Sequence, residues 1–336
     1  MKLDLILEPD LTPDAIREIA VAAEGYGFRT LWASNYSSAR DAFLSLVPAA
    51  QATKQIGIGV LVVSPWEMHP LKIANSLLTL NEYANGRAQL VLSGGGEWCG
   101  VMGSGHERRV RAVRETVEMI RGAMSGKPFT YKGELFKSWG YNASWSKDPP
   151  PRVYVGASKR QMMRMAVDTA DAAMMSDVTL HYVRDMLAIA SDRARETGRA
   201  ARFPVSNFWA WHVKADNEAS WHEARRELIL RGWLVDYHLK PFLTAEECAL
   251  VQKHKQAFLH AYNDRSGEIR GVPPELVTKL IDNFSCTGDL STIDRQIATL
   301  RKFADSGLDE LALRLHDAPL DAVHVIGRKV LPRLGG

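Results

Sequence analysis

Cysteine is scarce in this chain of 336 residues: there are three, Cys99, Cys248 and Cys286, widely separated. No CxxC pair and no histidine spacing accompanies them, so neither a disulfide framework nor a zinc site is expected, and no metal ligands are assigned. Long apolar runs are missing too. None approaches the ~20 residues that cross a bilayer, which argues against a membrane protein. Met1-Lys2-Leu3-Asp4 leads straight into a strand pattern, without the apolar core of a signal peptide. A reduced, cytoplasmic protein is therefore expected. An excess of charge of one sign is also absent: 42 Lys and Arg against 39 Asp and Glu leave +3. Basic residues gather only at Arg108-Arg109-Val110-Arg111 and Lys159-Arg160. Such pairs fit a small anionic ligand better than nucleic acid. Finally, no GxGxxG follows the first strand and there is no P-loop, so the usual nucleotide signatures of open sheets are missing.

What the chain does contain is a repeated unit, a strand pattern trailed by a helix pattern. Ile56 to Val63 is apolar and β-branched with no charge, which suits a strand covered on both faces. Ser64-Pro65 stops it, and Pro70 opens a helix, where a missing N–H is harmless. Other strands are read at 3–7, 30–33, 88–92, 152–155, 171–175, 204–213 and 311–315. Thr12-Pro13 caps the first helix, and further helices follow each strand. Residues 126–151, rich in Gly, Pro and aromatics, read as an irregular excursion. Residues 216–275 show helical periodicity without a strand, and Trp221, Trp233 and Phe242 make them unusually aromatic. Packing or a dimer contact is favoured there over a substrate lid. Eight units predict an α/β fold, a (β/α)8 TIM barrel forming one domain over 1–336, with a helical insertion after strand 7.

In such a barrel ligands sit at the C-terminal ends of the strands, which directs attention to particular loops. Gly156-Ala157-Ser158-Lys159 lies at a strand-to-helix junction. Free N–H groups and the helix dipole favour an anion there, while a tight turn capped by Ser158 is the plainer alternative. Ser93-Gly94-Gly95-Gly96 either passes backbone beneath a ring or phosphate tail, or is a hinge. Asn35 and Tyr36 face the mouth if strand two ends at Ala33, offering an amide to orient a substrate and a phenol to donate a proton or stack. His69 is read either as a donor to a ligand or as a structural hydrogen-bonding residue. Ser176 and Asp177 fall at the mouth after strand six, and His106-Glu107-Arg108-Arg109 form either a basic rim or a solvated helix start.

Several of these pieces resemble one family in order and spacing. Gly25-Tyr26-Gly27-Phe28-Arg29-Thr30-Leu31-Trp32, Pro65 with His69-Pro70, Asn85-Gly86-Arg87, Val155-Gly156-Ala157-Ser158, Gly288-Asp289-Leu290 and Ser306-Gly307-Leu308-Asp309 are similar to the bacterial luciferase-like superfamily of flavin- and deazaflavin-dependent oxidoreductases. The Val62-Val63-Ser64-Pro65…His69-Pro70 pattern looks more like the branch using the deazaflavin F-420, to which methylene-tetrahydromethanopterin reductase belongs. The resemblance implies a homodimer with the cofactor ring at the strands' C-terminal ends. It also implies a non-prolyl cis peptide near Leu61-Val62, so that Leu61, Val62, Val63 and Ser64 would back the ring. Two departures stand out: Asn35-Tyr36 where the branch often has Asp-His, and Lys159-Arg160-Gln161 where it often has Gly-Pro followed by Lys or Arg. The first reading is hydride transfer between F-420 and a small organic substrate. A second is an FMN-dependent monooxygenase using O2 and a partner flavin reductase. A third is a non-catalytic flavin-binding barrel.

Overall fold

Period-two alternation decides where each strand of this protein puts its side chains. The computed structural model describes residues 1–95, 97–105, 107–199 and 202–334. Eight parallel strands close into a barrel: β1 Lys2–Leu7, β2 Thr30–Ser34, β3 Gly57–Val63, β4 Ala88–Leu92, β5 Arg152–Gly156, β6 Ala172–Ser176, β7 Val205–Trp211 and β8 Glu310–Leu315. Each pairs with the next, and β8 returns to β1 in the register Leu3↔Leu311 and Leu5↔Leu313. Leu3, Leu5, Leu311 and Leu313 point outward into one core shared with the surrounding helices. Ile6, Trp32, Val91, Tyr154, Met174 and Ala312 form a second cluster inside the barrel. The expected (β/α)8 barrel is present, and strand limits differ from the reading by at most two residues.

Two regions differ from expectation. Within 126–151 a hairpin, Phe129–Lys132 with Lys137–Tyr141, replaces the irregular excursion. Its turn is shaped by buried Glu115, whose carboxylate accepts from Glu134 N, Leu135 N and Phe136 N at 2.9, 2.9 and 3.0 Å. A distant carboxylate thus shapes a turn whose local signal is Gly133 alone, where a Cβ would meet the Glu115 carboxylate. The helical segment after β7 runs on to Phe284 and is followed by a two-residue strand, Ser285–Cys286, beside β7. It has its own apolar cluster around Leu234, Phe258, Leu280 and Phe284. Among the described residues no helix is long and apolar enough to cross a membrane, and no cluster of potential metal ligands occurs.

The N-terminal end of the barrel is filled by charge. Arg29 donates to both Asp4 oxygens and to Tyr154 Oη at 2.8 Å, and Trp32 Nε1 donates to Asp4 at 3.0 Å. Glu310 accepts from Tyr154 at 3.0 Å and from Arg152 at 3.1 Å. Burial pushes the Asp4 carboxyl up to about 6, and the Glu310 charge adds to this, against the pull of Arg29. Because the unfolded chain keeps the ordinary value of 3.8, the folded chain binds a proton that the unfolded chain releases. The associated stability is complete below pH 3.8 and is lost as pH rises through about 6. Denaturant midpoints of the wild type and Asp4→Asn across this window should therefore show the wild type losing ground to the variant as pH rises. A gap that stays constant would mean that folding leaves the Asp4 carboxyl at its ordinary value.

Candidate functional site

At the opposite end, β3 does not run straight. The Leu61–Val62 peptide is cis, as expected, and the β3–β4 register shifts between Val60 and Val63. Asn35 braces this bend. Its N–H donates to Leu61 O at 2.7 Å, and its side-chain amide donates to Val62 O at 3.1 Å and to Glu67 at 2.8 Å. Glu67 also accepts from Ser64 N at 2.9 Å, so one carboxylate ties the loop after β3 to the loop after β2. Burial raises the Glu67 carboxyl above its ordinary range. Asn35 thus has a structural task that the reading of it as a substrate-orienting group did not contain.

The bend forms one wall of a cavity of about 270 Å³ in the barrel mouth. Asn35, Tyr36, Leu61, Val62, Ser93, Gly95, Gly156, Ser158 and Ser176 line it, as the sequence suggested; so do Met174, Phe208, Leu230, Trp233 and Arg314, which it did not. Through Ser93, Gly95, Gly156 and Ser158 this cavity continues into an open groove of about 980 Å³. Gly94, Arg108, Arg109, Arg111, Arg114 and Lys159 line the groove. Glu107 lies outside that set, while Gly96 and His106 lie outside the described residues.

Other expected site residues do not line these spaces. Val63 follows the strand alternation outward into the main core, and buried Ala157 does the same at the end of β5. Ser64 is buried, its hydroxyl accepting from Trp66 N at 3.2 Å. His69 is exposed and caps the helix Pro70–Tyr83, its Nδ1 accepting from Leu71 N at 3.3 Å, so the structural alternative describes it. Asp177 is turned inward, where its carboxylate accepts from Arg231 and from Gly232 N, both at 3.2 Å.

The glycines separate by what surrounds them. A side chain at Gly94 would strike Arg109 at 2.7 Å, and one at Gly95, with φ +79°, would strike Cys99 at 2.5 Å. Packing alone accounts for both. At Gly156 a Cβ would meet only ordinary contacts, Ser93 at 3.4 Å and Leu92 O at 3.5 Å. The space there belongs to the cavity and groove. The helix Arg160–Thr169 begins beside it with no side-chain cap, and the Ser158 hydroxyl accepts from Ser176 N at 2.9 Å. The first N–H groups of a helix have no acceptor within it. They meet the groove at Lys159, Gln161 and Met162. Such an arrangement suits an anion.

Tyr36 and Arg314 stand together at the far side of the cavity. Arg314 donates to the Tyr36 hydroxyl and, at 2.6 and 3.2 Å, to both oxygens of Glu8. Burial raises the Tyr36 phenol above its ordinary range, so it keeps its proton at neutral pH. Tyr36 also lines a second chamber of about 350 Å³, with Glu8, Arg226, Tyr262, Arg265 and His316. Arg314 is the one charge among the apolar residues of Leu311–Leu315, a signal that was legible in the sequence.

Residues 4–309 match the sequence profile of the family described as luciferase-like monooxygenase. The 5,10-methylenetetrahydromethanopterin reductase of Archaeoglobus fulgidus is 24% identical over 343 residues, covering 99% of this chain and 100% of that protein. The enzyme of the same name from Methanopyrus kandleri is 22% identical, covering 97% and 96%. The solved structure of the coenzyme F-420 dependent tetrahydromethanopterin reductase from Methanopyrus kandleri superposes with a TM-score of 0.80 at 18% identity, covering 99% of each chain. An F-420-dependent secondary alcohol dehydrogenase bound to an F-420–acetone adduct gives 0.79 at 19% identity, covering 100% and 99%. The oxygenating constituent of 3,6-diketocamphane monooxygenase from Pseudomonas putida, in complex with FMN, gives 0.67 at 19%, covering 99% and 98%.

Proposed function

Because the chain belongs to the luciferase-like monooxygenase family, we propose that it is an oxidoreductase that moves a hydride between F-420 and a small organic substrate, acting as a homodimer. The observation that carries this reading is the continuity of a largely apolar cavity in the barrel mouth with a basic groove at a helix start. A planar ring with an anionic tail needs that combination. The relatives named as F-420-dependent favour the deazaflavin, and the FMN complex of a more distant likeness supports FMN as the second reading.

The residues present fit such a group. Leu61, Val62, Val91 and Met174 give the cavity apolar walls. Gly156 leaves room for a phosphate to approach backbone N–H groups, and Lys159 adds positive charge beside Arg108 and Arg111, which share the one carboxylate of Glu134, and Arg114, which pairs with Asp168. When bound, the deazaflavin supplies or receives the hydride; the protein excludes water and places the reactants. Reduction of a carbonyl or imine also requires a proton, and Tyr36 is the donor at this mouth. With a substrate bound, its O–H would give a proton to the substrate heteroatom. Arg314, already donating to the Tyr36 oxygen, stabilises the phenolate left behind. Glu8 fixes the guanidinium through two bonds.

Two variants test the two halves of this reading. Gly156→Val, shown to be folded, should weaken F-420 binding roughly tenfold or more, the value of one charge-assisted hydrogen bond. Equal affinity for F-420 and FMN in variant and parent would remove the phosphate from this site. Tyr36→Phe should lower kcat about a hundredfold on any ketone or imine that proves a substrate, while leaving cofactor affinity within about twofold. An unchanged kcat would assign the proton to another group, and O2 consumption with reduced FMN would select the monooxygenase reading.

A further inference from the structure

Leu230 and Trp233, from the helical segment after β7, line the same cavity as the barrel's own residues. The backbone that brings Trp233 there is unusual. Gly232, Trp233 and Leu234 are consecutive residues with φ of 53°, 52° and 47°, all in the left-handed region that L side chains disfavour. Gly232 is confined as well, since a Cβ there would meet the His238 ring at 2.7 Å. On the outer side Leu234 O accepts from Gln252 Nε2 at 2.6 Å. On the barrel side the turn is tied by Asp177, which is itself left-handed at φ 49° and 0% exposed.

We infer that Asp177 is a latch: a positioning residue that holds this turn, and with it Trp233, in the mouth over the ring site. The inference rests on the proposed function for the identity of the ligand, but not for the latch itself. Arg231 is 1% exposed and donates to Asp177 at 3.2 Å, while its Nε and second terminal nitrogen have no hydrogen-bond partner among the described residues. The carboxylate is therefore the counter-charge that lets this guanidinium stay buried. The other carboxylate oxygen accepts from Gly232 N, at the start of the left-handed turn. The platform beneath is firm, because Asn207 on β7 exchanges two hydrogen bonds with Val178, at 3.2 and 3.0 Å. Without the carboxylate charge, Arg231 has reason to leave the interior, and the strained residues beside it relax to ordinary backbone. Trp233 then leaves the cavity wall, which widens the space available beside the ring.

Hydrogen exchange on the ligand-free protein tests the latch directly. In Asp177→Asn, amides within 230–239 should exchange about tenfold faster, with β7 and β8 unchanged. A second readout is F-420 affinity. Trp233→Ala should weaken it roughly two- to tenfold, the value of one aromatic contact. Asp177→Asn should weaken it similarly, and the double variant should bind no worse than Trp233→Ala alone. Unchanged exchange in 230–239, faster exchange throughout the barrel strands, or double-variant losses that multiply would each overturn the latch. If the wild type binds neither F-420 nor FMN, the proposed function fails while the exchange result still decides this inference.

Discussion

A carboxylate sealed inside a closed barrel has no water to solvate it, so it persists only with strong hydrogen-bond donors in reach, best of all a cation. The structure follows that constraint at both ends. Asp4 and Glu310 are met by Arg29 and Arg152 at the N-terminal end. Glu8 is met by Arg314, and Asp177 by Arg231, at the C-terminal end. Between them lies an apolar layer containing Ile6, Trp32, Tyr154 and Ala312. The alternation of β1 and β8 sets this order. Asp4, Ile6 and Glu8 descend one inward face, and Glu310, Ala312, Arg314 and His316 the other.

The two ends use the same chemistry to different effect. At the N-terminal end the charged groups fill the barrel and act as a plug. At the mouth they stand around open volume, and their geometry fixes what faces it. Arg314 is held by Glu8, and the terminal nitrogen that bonds Glu8 also donates to Tyr36. Asp177 spends its carboxylate on Arg231 and Gly232, which carries a segment from outside the barrel over the mouth. Asn35 works similarly with neutral groups, bracing the bent strand at Val62 and reaching Glu67. The site is thus a set of second residues holding first ones.

The barrel was legible because period-two runs and helix signals are local. Strand β4 was read to the residue, and the cis peptide fell where the resemblance placed it. Gly156 and Ser158 were found because a glycine-containing strand-to-helix junction has a local signature. What escaped depends on contacts distant in sequence. The hairpin at 129–141 needs Glu115, and the role of Asp177 needs Arg231, neither of which a local pattern exposes. His69 stayed open between two roles because a histidine before a helix looks the same whether it faces a ligand or caps the helix. Arg314 and Glu8 carried a usable signal, as charges alternating within apolar strands, but that signal reads equally as an edge or surface residue until the barrel is closed.

On this reading the mouth and the basic groove together hold one ring cofactor by its ring and its anionic tail. Equilibrium titration of the wild type with F-420 and with FMN, repeated at low and high salt, tests it most directly. Saturable one-to-one binding of at least one of them is expected, tighter for F-420 and weakening as salt screens the groove. No saturable binding of either cofactor, or binding indifferent to salt, would contradict it.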